Sequence, residues 1–152
     1  MASSDFTAAV MTASRALVGI AARSLADVES EVTLQQYRAL VVLAGRGDER
    51  VGDLADALAI HQSTTSRLCD RLVAKGLISR AASTESRREV VLSLTAEGRS
   101  LLDAVTERRR REIQRIGRKL SPAARDDLVA AFTLLADAAG ELPDDAWRLG
   151  WT

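Results

Sequence analysis

Positions Phe6, Val10, Ala13, Leu17, Ile20 and Ser24 alternate at spacings of four and three, the seam of a helix packed against another helix. The pattern predicts a first helix from about Asp5 to Val28. Thr33, followed three residues later by Gln36, reads as a capping box. Behind it Leu34, Tyr37, Leu40, Val41 and Leu43 form a buried face, and Gly45 and Gly47 end the helix. A shorter helix near Gly52 to Leu58 buries Leu54, Ala55 and Leu58. After an Ala59-Ile60 turn, a helix from around Gln62 carries its apolar stripe at Thr65, Leu68, Cys69 and Leu72, the i, i+3, i+4, i+7 pattern. Its opposite arc is polar: Ser63, Ser66, Arg67 and Asp70, flanked by Thr64 and Arg71.

Gly76 stops that helix, and the apolar residues on either side of Ala81 to Arg88 predict a two-stranded hairpin with an arginine-bearing loop. Thr95 caps the next helix with Glu97 near its positive end. Leu101, Val105, Ile113, Ile116 and Leu120 continue its stripe. Ser121-Pro122 begins a last helix, whose buried face is Leu128, Phe132, Leu135 and Ala139 and whose end is Gly140. A chain of 152 residues offers little core for both faces of such long flanking helices, so a second subunit is expected to cover them.

Composition narrows the class. With 47% hydrophobic and 28% charged residues, the chain can bury a core and is not of disordered type. No run approaches the roughly 18 uninterrupted apolar residues of a membrane span, and no signal-peptide pattern opens the chain, which predicts a cytoplasmic protein without a membrane partner. The single cysteine, Cys69, excludes a disulfide framework within the chain. It lies on the apolar stripe, where an inert core thiol is the expected role. One histidine leaves few ligands for a transition metal, and neither a metal nor a cofactor is expected. Gly-rich phosphate loops, a Gly-x-Ser-x-Gly elbow and metal clusters are missing from the sequence, which argues against an enzyme.

The net charge is zero, so its distribution carries the information. Between His61 and Arg88 six cations face two anions. A polar, cationic helix face beside a basic hairpin suits a DNA major groove and the neighbouring minor groove. The residues expected at DNA are His61, Gln62, Ser63, Thr64, Ser66, Arg67 and Arg71 from the helix, with Arg80, Arg87 and Arg88 from the hairpin. Small hydroxyl side chains at a helix start can approach phosphates closely, and Arg67 can reach a guanine edge or a phosphate. His61 is expected to cap the helix or contact phosphate. The run Arg108 to Arg111 surrounds its helix and is expected to be a solvated face paired with Glu107 and Glu112. Trp147 and Trp151 in the acidic tail would pack on a partner subunit or on their own chain.

The residues that carry a family resemblance are Thr33, Gln36 and Leu40, then Leu54-Ala55, Ser63-Thr64-Thr65-Ser66-Arg67-Leu68, Asp70-Arg71-Leu72, Lys75-Gly76-Leu77-Ile78, Arg80, Arg87-Arg88, and Leu92-Ser93-Leu94-Thr95 with Gly98. Together they resemble the MarR family of winged helix-turn-helix regulators, from Val32 to about Leu102. The resemblance implies a mainly α fold (α+β), with a two-stranded wing and long N- and C-terminal dimerisation helices. It divides the chain into an arm helix (1–32), a DNA-binding lobe (33–95), dimerisation helices (96–140) and a tail (141–152), intertwined as one unit. It further implies a homodimeric repressor on a pseudo-palindromic operator, released by a small anionic aromatic or antibiotic-like effector. Arg15 and Arg23 on the first helix are the candidate anion partners for that effector. An architectural or protein-binding winged helix that does not read sequence is the alternative. The chain departs from the family pattern at Ala59, where glycine is usual in the turn, and at Ser86, where aspartate usually precedes the arginine pair.

Overall fold

The computed structural model describes residues 2–26, 32–86, 88–141 and 143. Helix α1 (Ala2–Leu25) has Asp5 in its first turn and Arg23 in its last, each sign favoured by the helix dipole. The expected continuation to Val28 lies outside the described residues. α2 (Leu34–Arg46) opens on the anticipated capping box: Gln36 N–H donates to Thr33 Oγ1 at 3.2 Å, and Thr33 N–H donates to Gln36 Oε1 at 3.0 Å. Gly47, at φ 85°, closes it, while Gly45 stays inside the helix.

The strand β1 (Glu49–Arg50) runs directly into α3 (Val51–Leu58), and α4 (Gln62–Ala74) follows after a turn at Ala59. β2 (Ile78–Ala82) and β3 (Val90–Leu94) form the hairpin. β1 adds to the far side of β3, so the expected two-stranded wing is part of a three-stranded antiparallel sheet in the order β1-β3-β2. A two-residue strand has too few positions to show a period, and only its pairing of Glu49 with Leu92 and Arg50 with Val91 defines it. α5 (Ala96–Gly117) and α6 (Pro122–Ala139) complete the chain, with Ser121 Oγ capping α6 and Gly140 closing it in the left-handed region.

The core lies inside the lobe. Leu40, Leu54, Leu72, Ile78, Leu92 and Val105 are fully buried side chains from α2 to the first half of α5. Gly98 lets α5 start against the lobe, because a Cβ there would collide with the Leu77 carbonyl. Thr95 locks the same junction: its hydroxyl donates to Gly76 O at 2.6 Å and accepts from Gly98 N–H at 3.0 Å.

Several expected core positions are not covered. Leu34, the first residue of α2, is exposed, and Val41 is only half-buried. On α1, Ile20 and Ser24 pack inward while Phe6 and Leu17 face outward, Phe6 with 63% of its surface exposed. Ile113 and Ile116 in the second half of α5 are exposed as well. α6 buries no residue, and its stripe of Leu128, Phe132 and Leu135 is open. These positions have the right period, yet among the described residues no surface of the chain covers them. α1 from Ser4 to Leu25 reaches a mean hydropathy of 1.2, enough by length and composition alone for a membrane span, although no uninterrupted apolar run does. Arg15 and Arg23 interrupt it, and Arg23 Nε donates to Glu112 Oε1 of α5 at 2.7 Å.

Candidate nucleic-acid interface

The hydrophobic stripe of α4 orients everything on its other side. Thr65, Leu68, Cys69 and Leu72 are buried, as their spacing predicts, and the Thr65 hydroxyl is spent on His61 O at 3.1 Å. His61, Gln62, Ser63, Thr64, Arg67 and Arg71 are therefore turned to solvent, with Ser66 half-buried among them. His61 occupies the N-cap position, but its side chain makes no capping bond, so the capping role expected for it is absent. Thr64, Arg67 and Arg71 line a groove with Thr33, Gln35 and Ile60, which sets the start of α2 beside the cationic arc.

The end of α4 is shaped by Gly76 at φ 71°, where a side chain would be strained, and Leu77 N–H donates back to Leu72 O at 3.0 Å. That reversal sends β2 back along α4. Arg80 Nη1 on β2 meets Asp70 Oδ1 on α4 at 2.8 Å, so the one acidic group of the α4 arc is neutralised by the hairpin. Arg80, expected at DNA, is thus engaged in joining the two elements that form the basic surface.

The wing is a tight loop. Ser83 N–H donates to Glu89 O at 2.8 Å and Glu89 N–H to Ser86 O at 3.1 Å. Ser86 Oγ, at the position where the resemblance would put aspartate, accepts from Arg88 N–H at 3.4 Å. Arg88 is exposed, and Arg87 lies outside the described residues. At the turn before α4, Ala59 takes φ 54° and ψ 42°, so the left-handed conformation survives without the usual glycine, at a steric cost.

Burial raises the Cys69 thiol to about 11, with Arg80 nearby lowering it and Asp70 raising it, which leaves it protonated at neutral pH. It belongs to the core and not to the basic face.

Of the arginine run, Arg110 and Arg111 pair with Glu107, and Glu112 receives Arg23 and Arg115. Arg109 departs from the expected solvated face. Its guanidinium carbon lies 5.3 Å from the centroid of the Tyr37 ring, and its Nε is buried without a hydrogen-bond partner among the described residues. It borders a cavity of about 660 Å3 whose other walls include Leu17, Val18, Leu25, Val32 and Leu34. Neither Arg15 nor Arg23 lines that cavity: Arg15 Nη2 donates to Thr12 Oγ1 at 3.2 Å, and Arg23 is held by Glu112. Two further contacts had no sequence signal, because they depend on long-range packing: Lys75 Nζ with Gln36 Oε1 at 3.2 Å, and Arg50 with Glu89.

Comparison with known proteins agrees with this geometry. The MarR family model matches residues 32–90, the span from the entry of α2 to the start of β3. The chain superposes on the crystal structure of RV1404 from Mycobacterium tuberculosis with a TM-score of 0.87 and 42% identity, covering 95% of this chain and 98% of that one. The chain belongs to the MarR family. Its winged helix is thus the DNA-binding element of a transcriptional regulator, and MarR-family members bind DNA as dimers. The HTH-type transcriptional regulator YfiV of Bacillus subtilis is 28% identical over 108 residues, 71% of this chain and 68% of YfiV. A structure on regulation of DNA binding of Bordetella bronchiseptica BpsR by 6-hydroxynicotinic acid is 27% identical, with TM-score 0.63, covering 86% of this chain and 92% of BpsR.

Proposed function

We propose that this MarR-family chain is a homodimeric, sequence-specific repressor that a small anionic aromatic compound releases from DNA. The observation that carries the reading is the exposed arc of Gln62, Ser63, Thr64, Arg67 and Arg71 on a helix whose other side is pinned in the core. Such an arc enters the major groove while the wing, with Arg88, lies along the adjacent minor groove. Residues 33–95 act as the reading head, and 1–32 with 96–140 as the dimer arms. Support for the arms comes from the open apolar stripes of α1, the second half of α5 and α6. A twofold pairing of these stripes would set two recognition helices about 34 Å apart on a pseudo-palindrome.

The effector reading draws support from the apolar cavity at Arg109. An aromatic ring would sit among the apolar walls of the cavity between α1 and α2, with its carboxylate toward the Arg109 guanidinium that borders it. BpsR, with 6-hydroxynicotinic acid, is a relative whose DNA binding answers to an aromatic acid. Arg109 replaces Arg15 and Arg23 as the anion partner in this proposal.

Selection of bound duplexes from a random library tests the DNA function, followed by Arg67→Ala and Arg88→Ala on the winning sequence. A base-reading arginine costs about 1 to 3 kcal/mol and relaxes specificity at one position, whereas a phosphate contact weakens every duplex alike. Equal affinity for all duplexes would replace the repressor with an architectural role. For the effector, hydroxylated aromatic acids should raise the melting temperature of the wild type and not of Arg109→Ala. Equal shifts in both proteins would remove Arg109 from the site.

A further inference from the structure

The first residue of the α3 junction is used in an unusual way. Arg50 stands at the N-cap of α3, where a short polar side chain commonly accepts from the helix, and it makes no such bond. Its side chain reaches away from α3, and Nη2 meets Glu89 Oε2 at 2.9 Å. Arg50 is paired with Val91 across β1 and β3, and Glu89 lies two residues before Val91, at the entry to β3. The pair is thus a diagonal cross-strand contact, within reach of two long side chains.

Glu89 is also where the wing closes. Its carbonyl accepts from Ser83 N–H and its own N–H donates to Ser86 O, so the backbone of Glu89 holds both halves of the loop. One residue thereby joins the wing turn through its backbone and the start of α3 through its carboxylate. The same corner is continuous with α4: Arg50, Gly52, Asp53, Glu89 and Val90 line a cavity of about 370 Å3 with Gln62, the first residue of the recognition helix. A tilt of the wing base against α3 therefore changes the spacing between the wing and the N-terminal end of α4.

We infer that Arg50 and Glu89 are a positioning pair, which sets the wing relative to the recognition helix for DNA without itself reading a base. The inference rests on the DNA-binding reading above. Both side chains are substantially exposed, so the pair adds little to folding stability and its effect belongs in binding.

The test uses the sign of the change. Removing an anion from a surface facing DNA strengthens binding by electrostatics alone. If Glu89 positions the wing, Glu89→Gln instead weakens binding to the selected operator about threefold, the scale of an exposed pair. The melting temperature stays unchanged, and the lost hydroxyl-radical protection is confined to the minor groove beneath the wing. Arg50→Glu should weaken binding more, and the swap Arg50→Glu with Glu89→Arg should restore at least half of that loss. Unchanged or tighter binding by Glu89→Gln, or strictly additive effects in the swap, would overturn the pair while leaving the DNA function intact. No sequence preference in the wild type would overturn both.

Discussion

The lobe and the last helix are both built from apolar residues at helical spacing, yet only one of them uses those residues within its own chain. In the lobe, Leu54, Leu72, Ile78 and Leu92 are buried, and α2, α3, α4, β2 and β3 all contribute to a common core. In α6, Leu128, Phe132 and Leu135 lie open although their pattern is as regular. Hydrophobic periodicity marks a surface that must be covered and does not say by what. The lobe covers its apolar faces within one chain and so holds α4 in place, while α6 leaves its stripe open; in the dimer proposed above a second subunit would cover that stripe and fix the distance between two recognition helices.

The contrast can be broken most forcefully at Leu72. Leu72→Ala should cost about 2 to 5 kcal/mol in denaturant unfolding, since it opens a cavity behind the recognition helix. A loss below about 1 kcal/mol would mean that the lobe lacks the close packing described. Gly98→Ala should cost about 1 to 3 kcal/mol, because the new methyl meets the Leu77 carbonyl backbone and α5 must shift off the lobe. Phe132→Ala should leave lobe unfolding nearly untouched and instead weaken dimerisation by about 2 kcal/mol, roughly thirtyfold in dissociation constant by analytical ultracentrifugation. An unchanged dissociation constant would remove α6 from the interface.

Smaller effects sharpen the picture within the lobe. Ala59→Gly should raise stability by about 1 kcal/mol in thermal unfolding, by relieving the left-handed backbone ahead of α4. A destabilised variant would show that the turn carries no strain. The smallest effect is the alkaline pH dependence set by Cys69. Its folded-state value is raised, so native stability is fully present below about 9, the ordinary thiol value, and declines as pH rises toward about 11, because only the unfolded chain ionises in that window. Denaturant titrations at a series of alkaline pH values, compared with Cys69→Ala, would display the difference.

Much of the fold was legible because its signals are local. The Thr33 and Gln36 capping box, the Thr95 and Ser121 caps, the glycine stops at Gly47, Gly76 and Gly140, and the α4 stripe each depend on residues a few positions apart. The polar arc of α4 followed from that stripe by geometry, so the candidate site was legible in its helical half. The capping role expected of His61 failed because the backbone arrives there without its imidazole reaching the helix start. β1 was missed because two residues carry no period. Arg109 was read as solvated because its neighbours in sequence are charged, whereas its neighbour in space is the Tyr37 ring.

By itself the sequence determined the order of elements, the inward and outward faces of α4, and the concentration of positive charge between His61 and Arg88, all of which follow from spacing along one chain. Only the tertiary structure decided which apolar stripes found a cover, that Asp70 is answered by Arg80, that Arg50 reaches Glu89, and that Arg109 stands over the Tyr37 ring at the edge of an apolar cavity. The physical reason is range: caps and stripes are set by contacts within about two helical turns, whereas the partner of a charged side chain depends on where distant segments come to rest.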